Sequence, residues 1–247
     1  MDLISLTGRL TAHDDSEARL ARALLPGHIA ASRAEPGCLR FDVTEDAADP
    51  RAWHLRELFV DADAFEAHGA RARQSEWGAK SAGLGRDFKR ETISPALRPE
   101  ISAYHGAIRD LLTRAFEGEG EAHLVDALRR AGDLAISFVA EADGLILGHI
   151  ALSPLAADFP AFALAPVAVE PKLQGRGLGS DLIRAAIDAV APAAVVVLGD
   201  PSYYARFGFH PVPGWDAPFA GPYLQARGTD LPARTRLSYA PAFAPLN

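Results

Sequence analysis

Apolar residues alternate with polar ones in some stretches of this chain and recur at helical spacing in others, and the order of these stretches divides it into two α+β units. Residues 3–12 read as a strand and 16–35 as a helix with Leu20, Leu24 and Ala31 on one stripe. Pro26 predicts a kink in that helix, because proline removes one backbone donor and crowds the preceding turn. Pro36-Gly37 ends it. Leu39, Phe41 and Val43 then alternate with Arg40, Asp42 and Thr44, a strand with one buried face. Residues 46–50 make a turn, Trp53, Leu55 and Phe59 mark the returning strand, Asp61 caps a short helix carrying Phe65, and residues 84–93 form the last strand. This β-α-β-β-α-β order predicts a ferredoxin-like sandwich over residues 1–94.

A second domain is expected over residues 95–247. Leu97-Arg-Pro-Glu100 reads as a short strand; Ile108, Leu111, Leu112, Ala115 and Phe116 form one helical face, and Leu124, Val125 and Leu128 a second, ended by Gly132. Strands 135–141 and 145–152 meet at Asp143-Gly144, a strong hairpin signal. The strand at 162–170 runs into Gln174-Gly-Arg-Gly-Leu-Gly-Ser180, and that loop runs into a helix carrying Leu178, Leu182, Ile183, Ala186, Ile187 and Val190. Strand, glycine loop and helix N-terminus together make a phosphate cradle: glycines let backbone N–H groups turn inward, and the positive end of the helix dipole faces the anion. No Gly-Lys-Ser/Thr follows, so the loop is not a P-loop. Asp200 stands about twenty residues on, as a dinucleotide fingerprint requires, so spacing alone does not exclude one; position argues against it, because such loops usually follow the first strand of a βαβ unit and this one comes late in its domain.

Charge narrows the ligand. The formal net charge of −7 argues against general affinity for nucleic acid or an anionic membrane, so attraction for a phosphate must be local, from Lys172, Arg176 and the loop amides. The single cysteine, Cys38, excludes an internal disulfide; no cluster has metal-ligand spacing, and neither a signal peptide nor a membrane span is legible. A cytoplasmic protein is expected.

Val167-Ala-Val-Glu-Pro-Lys-Leu-Gln-Gly-Arg-Gly-Leu-Gly-Ser180 resembles the acetyl-CoA-binding motif of the GCN5-related N-acetyltransferases (GNAT), and Val195-Val-Val-Leu-Gly-Asp-Pro-Ser-Tyr-Tyr-Ala-Arg-Phe-Gly-Phe209 resembles the Tyr-x-x-x-Gly-Phe element that closes that fold. The resemblance implies a GNAT acyltransferase fold, acetyl-CoA as acyl donor, and a small-molecule or peptide amine as acceptor. It implies a pantetheine arm beside Val167 and Val169, a pyrophosphate over Gln174, Gly175, Arg176, Gly177, Gly179 and Ser180, and Tyr204 as the general acid, with the adjacent Tyr203 as the alternative. A general base is not singled out: Glu170, His149 and Asp200 are candidates, with structural roles for each beside the catalytic one. The segment 211–243, rich in proline and aromatics, is expected to shape the acceptor pocket.

In the first unit, Glu35-Pro-Gly-Cys-Leu-Arg-Phe-Asp-Val43, Glu57 and Ala64-Phe-Glu-Ala-His68 resemble the antibiotic-biosynthesis monooxygenase family. That resemblance implies a ferredoxin-like sheet pairing with a second copy into a dimeric α/β barrel, hence a homodimer through this domain. Glu57 breaks an apolar strand and His68 closes a helix, so both can point into a cavity and bind a small ligand. Trp77 and His68 do not recreate the haem-degrading set, and no haem is expected. The leading expectation is an acetyl-CoA-dependent N-acetyltransferase. The alternatives are a cofactor-independent monooxygenase or ligand-binding barrel, and a non-catalytic acetyl-CoA sensor.

Overall fold

A computed structural model describes residues 1–246 of the chain; Asn247, the last residue of the expected second domain, lies outside the described residues. The chain divides into two compact units, Met1–Pro95 and Ala96 onward.

The first unit runs β1 (Leu3–Thr11), α1 (Asp15–Arg33), β2 (Cys38–Glu45), β3 (Ala52–Phe59), α2 (Ala62–Gln74), α3 (Glu76–Lys80) and β4 (Gly85–Ile93). Its antiparallel sheet, ordered β2-β3-β1-β4, is ferredoxin-like. Asp14 caps α1 by accepting hydrogen bonds from the Ser16 and Glu17 amides. The inward stripe of α1 is Ala18, Ala21, Leu25, His28 and Ser32, whereas Leu20 and Ala31 are exposed. The expected stripe was displaced because two of the buried positions are polar. The helix continues through Pro26, which is exposed. A bulge between Cys38 and Arg40 takes Leu39 out of the alternation, so Cys38 enters the core in its place.

Register puts Leu6 opposite Glu57 and Leu10 opposite Trp53, so Phe41, Val43, Trp53, Leu55, Glu57 and Phe59 share one sheet face. That face packs beneath α1 and α2, against Ala18, Ala21, Leu25, Ile29 and Phe65. These apolar side chains are therefore covered by this unit's own helices. The opposite face carries Arg9, Asp42, His54 and Arg56 from positions between them.

The second unit runs β5 (Ala96–Pro99), α4 (His105–Phe116), α5 (Gly120–Ala131), β6 (Ile136–Ala142), β7 (Leu145–Leu155), β8 (Ala161–Val169), α6 (Leu178–Val190), β9 (Ala194–Leu198), α7 (Pro201–Tyr204), β10 (His210–Pro211) and β11 (Leu224–Arg227). Its seven strands are ordered β10-β11-β9-β8-β7-β6-β5. Asp143 and Gly144, both at positive φ, turn β6 into β7. On one sheet face Val139, Ala151 and Ala168 pack against Ile108, Leu111 and Leu112 of α4 and Val125 of α5. On the other face Gly148 lies beneath α6; a Cβ there would approach a Leu182 methyl to 2.8 Å, so the strand needs glycine to admit the helix. Trp215, Leu224, Ala226, Leu237 and Phe243 fill a core with Leu124 and Leu128 of α5.

Candidate active site

One interruption in the second sheet creates the site. β8 and β9 pair in parallel only from Ala161 to Leu164 against Ala194 to Val197. Beyond that point β8 continues alone on this side to Val169, and its backbone groups there face a gap instead of a neighbouring strand. The glycine loop closes the end of this gap. Gly175 and Gly177 adopt φ of 75° and 97°, left-handed values that a side chain disfavours, and Gly177 is the N-cap of α6. The resulting cleft, about 360 Å³, is lined by Val167, Val169, Gln174, Gly175, Gly177, Gly179 and Ser180, which the sequence singled out. Leu173, Leu178, Tyr203 and Arg206 complete the lining.

The two tyrosines part company here. Tyr203 reaches the cleft, and its hydroxyl lies 3.4 Å from where a Cβ on Gly179 would stand. Tyr204 is 8% exposed and packs edge-to-face on Phe209, with its ring against Gly199 at the end of β9. Burial, and then the neighbouring Tyr203, push its phenol up to about 12. Arg206 was not legible from spacing to the glycine loop. It reaches the cleft because α7 continues into a 3₁₀ turn, where its guanidinium lies over the Tyr203 ring at 4.6 Å and its Nε donates to the Tyr203 carbonyl.

The candidate bases have structural partners. Asp200 caps α7, accepting from the Ser202 amide and hydroxyl, and these bonds hold its carboxyl below the usual range. Glu170 pairs with Arg114 of α4 at 3.0 Å. His149 is fully buried, its Nε2 bonded to the Ser137 hydroxyl, which in turn donates to Glu100. Arg129 grips both Glu100 oxygens. Burial works to raise the Glu100 carboxyl, but hydrogen bonds from His149, Arg129 and Ser137 outweigh it and hold it far below the carboxylate range. Residues 211–243 are not among those lining this cleft; Trp215, Leu224, Ala226, Leu237 and Phe243 from that segment lie in the core. Glu57 and His68 face each other at 3.9 Å in a separate cavity of the first unit.

Comparison with known proteins agrees with this architecture. Residues 133–211 match the family model for the acetyltransferase (GNAT) domain, and residues 3–80 match that for antibiotic biosynthesis monooxygenase. The N-acetyltransferase YhbS of Escherichia coli K12 is 41% identical over 120 residues, which is 46% of this chain and 72% of that one. YjhQ, another N-acetyltransferase of that strain, is 38% identical over 126 residues, covering 47% and 69%. Among solved structures, YhbS from E. coli in complex with CoA superimposes with a TM-score of 0.56 at 32% identity, over 61% of this chain and 92% of that one. A GNAT family acetyltransferase from Brucella melitensis in complex with acetyl-CoA gives 0.53 at 36% identity, over 60% and 97%. The left-handed glycine loop at the start of α6 and the strand pair that opens beside it both fall within the 133–211 stretch that matches the acetyltransferase domain. The chain belongs to the GNAT family of N-acetyltransferases.

Proposed function

We propose that the second unit transfers an acetyl group from acetyl-CoA to an amine through the cleft between β8 and β9. The coincidence that carries this reading is the gap in the sheet ending at the left-handed loop of α6. The exposed backbone of Val167 and Val169 suits an extended pantetheine arm, which would bond as an added strand. The amides of the loop from Gln174 to Ser180, with the Arg206 guanidinium, suit the pyrophosphate; Arg176, which the sequence singled out, stands in the same loop but is not among the residues lining the cleft.

Acyl transfer from a thioester needs a deprotonated amine, donors for the tetrahedral oxyanion, and a proton for the departing thiolate. Tyr204 serves as the acid: its phenol stays protonated far above neutral pH, and its ring lies behind Tyr203, against Gly199 just past β9. With Asp200, Glu170 and His149 held by structural bonds, the acceptor amine arrives neutral or loses its proton to water. The acceptor is a small-molecule or peptide amine. The cytoplasm suits a chain whose one cysteine, Cys38, is a buried thiol outside any disulfide.

A panel of amines incubated with acetyl-CoA, followed by free-thiol release, tests the proposal. Amine-dependent release that Gly177→Asp suppresses supports it. Release from no amine in the panel, with CoA bound in the cleft, would favour an acetyl-CoA sensor.

A further inference from the structure

The row of residues at which the second sheet forks ends in a buried amide. Leu164 of β8 is paired with Val197 of β9, the last parallel pair before the opening, and Val197 is paired with Gln225 of β11. Directly opposed residues share a sheet face, so these three side chains lie together, away from the core that holds Val196, Leu224 and Ala226. Leu164 and Val197 are apolar; Gln225 is not, and it is wholly buried. Its nitrogen is identified by its neighbours. Nε2 stands 2.9 Å from the Gly199 carbonyl and 3.5 Å from that of Tyr223, two oxygens that call for a donor. Oε1 is then left buried with no partner among the described residues. A bare buried oxygen costs stability, so what explains a glutamine here is the work of its nitrogen.

That nitrogen stands where the backbone ladder gives out. The pairing of β9 with β11 ends at Leu198 opposite Leu224; beyond it the Gly199 amide reaches the Tyr223 carbonyl, while the Leu224 amide turns back to Gly221. The Gly199 carbonyl takes its hydrogen bond from the Gln225 side chain instead. Gly199 is also the seat of Tyr204, whose ring fills the place where a Cβ on that glycine would stand. The short loop between them is therefore fixed at both ends by side chains: Gln225 donates to Gly199, and Asp200 accepts from Ser202 at the start of α7.

We propose that Gln225 is a positioning residue for acyl transfer: by holding the Gly199 carbonyl, it holds the surface on which the Tyr204 ring rests, and so the place of the phenol. The proposal rests on the reading of Tyr204 as the acid. Gln225 is not among the residues lining the cleft, so its effect reaches the reaction through Gly199 and Tyr204. A carboxyl in its place separates this role from a merely structural one. Protonated, it donates to the Gly199 carbonyl as the amide does; ionised, it sets bare acceptors against an acceptor and drives the seat away. Burial raises a carboxyl toward neutral pH, where the change can be followed.

NMR of the full chain carrying tyrosine labelled with ¹³C at Cζ tests this, the Tyr204 signal being the one absent from Tyr204→Phe. In Gln225→Glu that signal should move reversibly as pH rises from about 6 to 9, while it stays fixed in the unsubstituted chain. In Gln225→Met, which has no donor, it should be displaced at every pH; this variant gives the answer if Gln225→Glu unfolds. With an amine that supports thiol release, kcat of Gln225→Glu should fall about tenfold or more over the same range, with the KM for acetyl-CoA held within about twofold. Neither substitution should lower kcat further in Tyr204→Phe. A Tyr204 signal indifferent to both substitutions, or a loss of kcat that persists undiminished in Tyr204→Phe, would overturn the proposal. A signal that follows pH while no amine releases thiol would uphold the hold of Gln225 on Tyr204 and place the failure in the acetyl-transfer reading.

Discussion

Tyr204 turns its ring onto Gly199, where even a methyl group would collide with it, and this contact ties the proposed acid to a backbone position. Tyr204→Phe should lower kcat by about a hundredfold with little change in acetyl-CoA affinity, because it removes a proton donor and almost no packing. Tyr203→Phe serves as the comparison; if the loss of kcat appears there instead, the acid is Tyr203. Gly199→Ala should displace the Tyr204 ring and depress kcat without touching the glycine loop. The paired tyrosines were visible in the sequence, but only the packing separates one on the cleft wall from one behind it. Glu57 offers a different measurement. Its folded pKa, about 8, lies above the ordinary carboxyl value of 4.5, so between these values the folded state holds a proton that the unfolded state has lost. Its contribution to stability is therefore full below about pH 4.5, falls as pH rises, and is gone above about 8. Glu57→Gln should flatten that decline in urea-unfolding midpoints measured from pH 5 to 8; an unchanged slope would show that the carboxyl ionises normally.

Helix α6 and its loop were the most legible element, because helical spacing, glycine placement and the preceding apolar strand are all local signals. Gly177 is open to space, so a side chain there meets no atom; what it meets is an unfavourable φ and whatever charge the cleft holds. Asparagine and aspartate both tolerate left-handed backbone, and they differ in charge. Gly177→Asp should therefore weaken acetyl-CoA binding by at least tenfold, about 1.4 kcal/mol, while Gly177→Asn loses much less. Equal losses would assign the effect to backbone strain. Helix α1 was harder to read, since its buried face includes His28 and Ser32 and periodicity counts those as solvent positions. The Glu100 network was hidden for a related reason: it joins the end of β5, α5, β6 and β7, four segments separated in sequence. Removing one partner strands the other, so Glu100→Gln should destabilise the second unit by about 3 kcal/mol in chemical unfolding.

At the scale of the whole chain, the order of elements was readable and the contents of the faces were not. Alternation tells which residues share a sheet face, but not whether helices or a second copy cover it; Phe41, Trp53 and Phe59 lie under this unit's own helices. A homodimer through the first unit would thus use the other sheet face, where Arg9, Asp42, His54 and Arg56 stand. Such an interface should loosen as ionic strength rises, which sedimentation of the full chain in 0.05 and 1 M salt would register as a shift toward monomer. An association that salt leaves unchanged would point to another surface. The opening between β8 and β9 has its own consequence in time. Strand β8 is protected along its β7 side, whereas on the β9 side pairing stops after Leu164. Amide protons of residues 165–169 directed into that opening should exchange with deuterium quickly in the free protein. They should slow once an acyl donor lies there, so that the hydrogen-bonding groups completing the sheet would come from a molecule the chain does not encode.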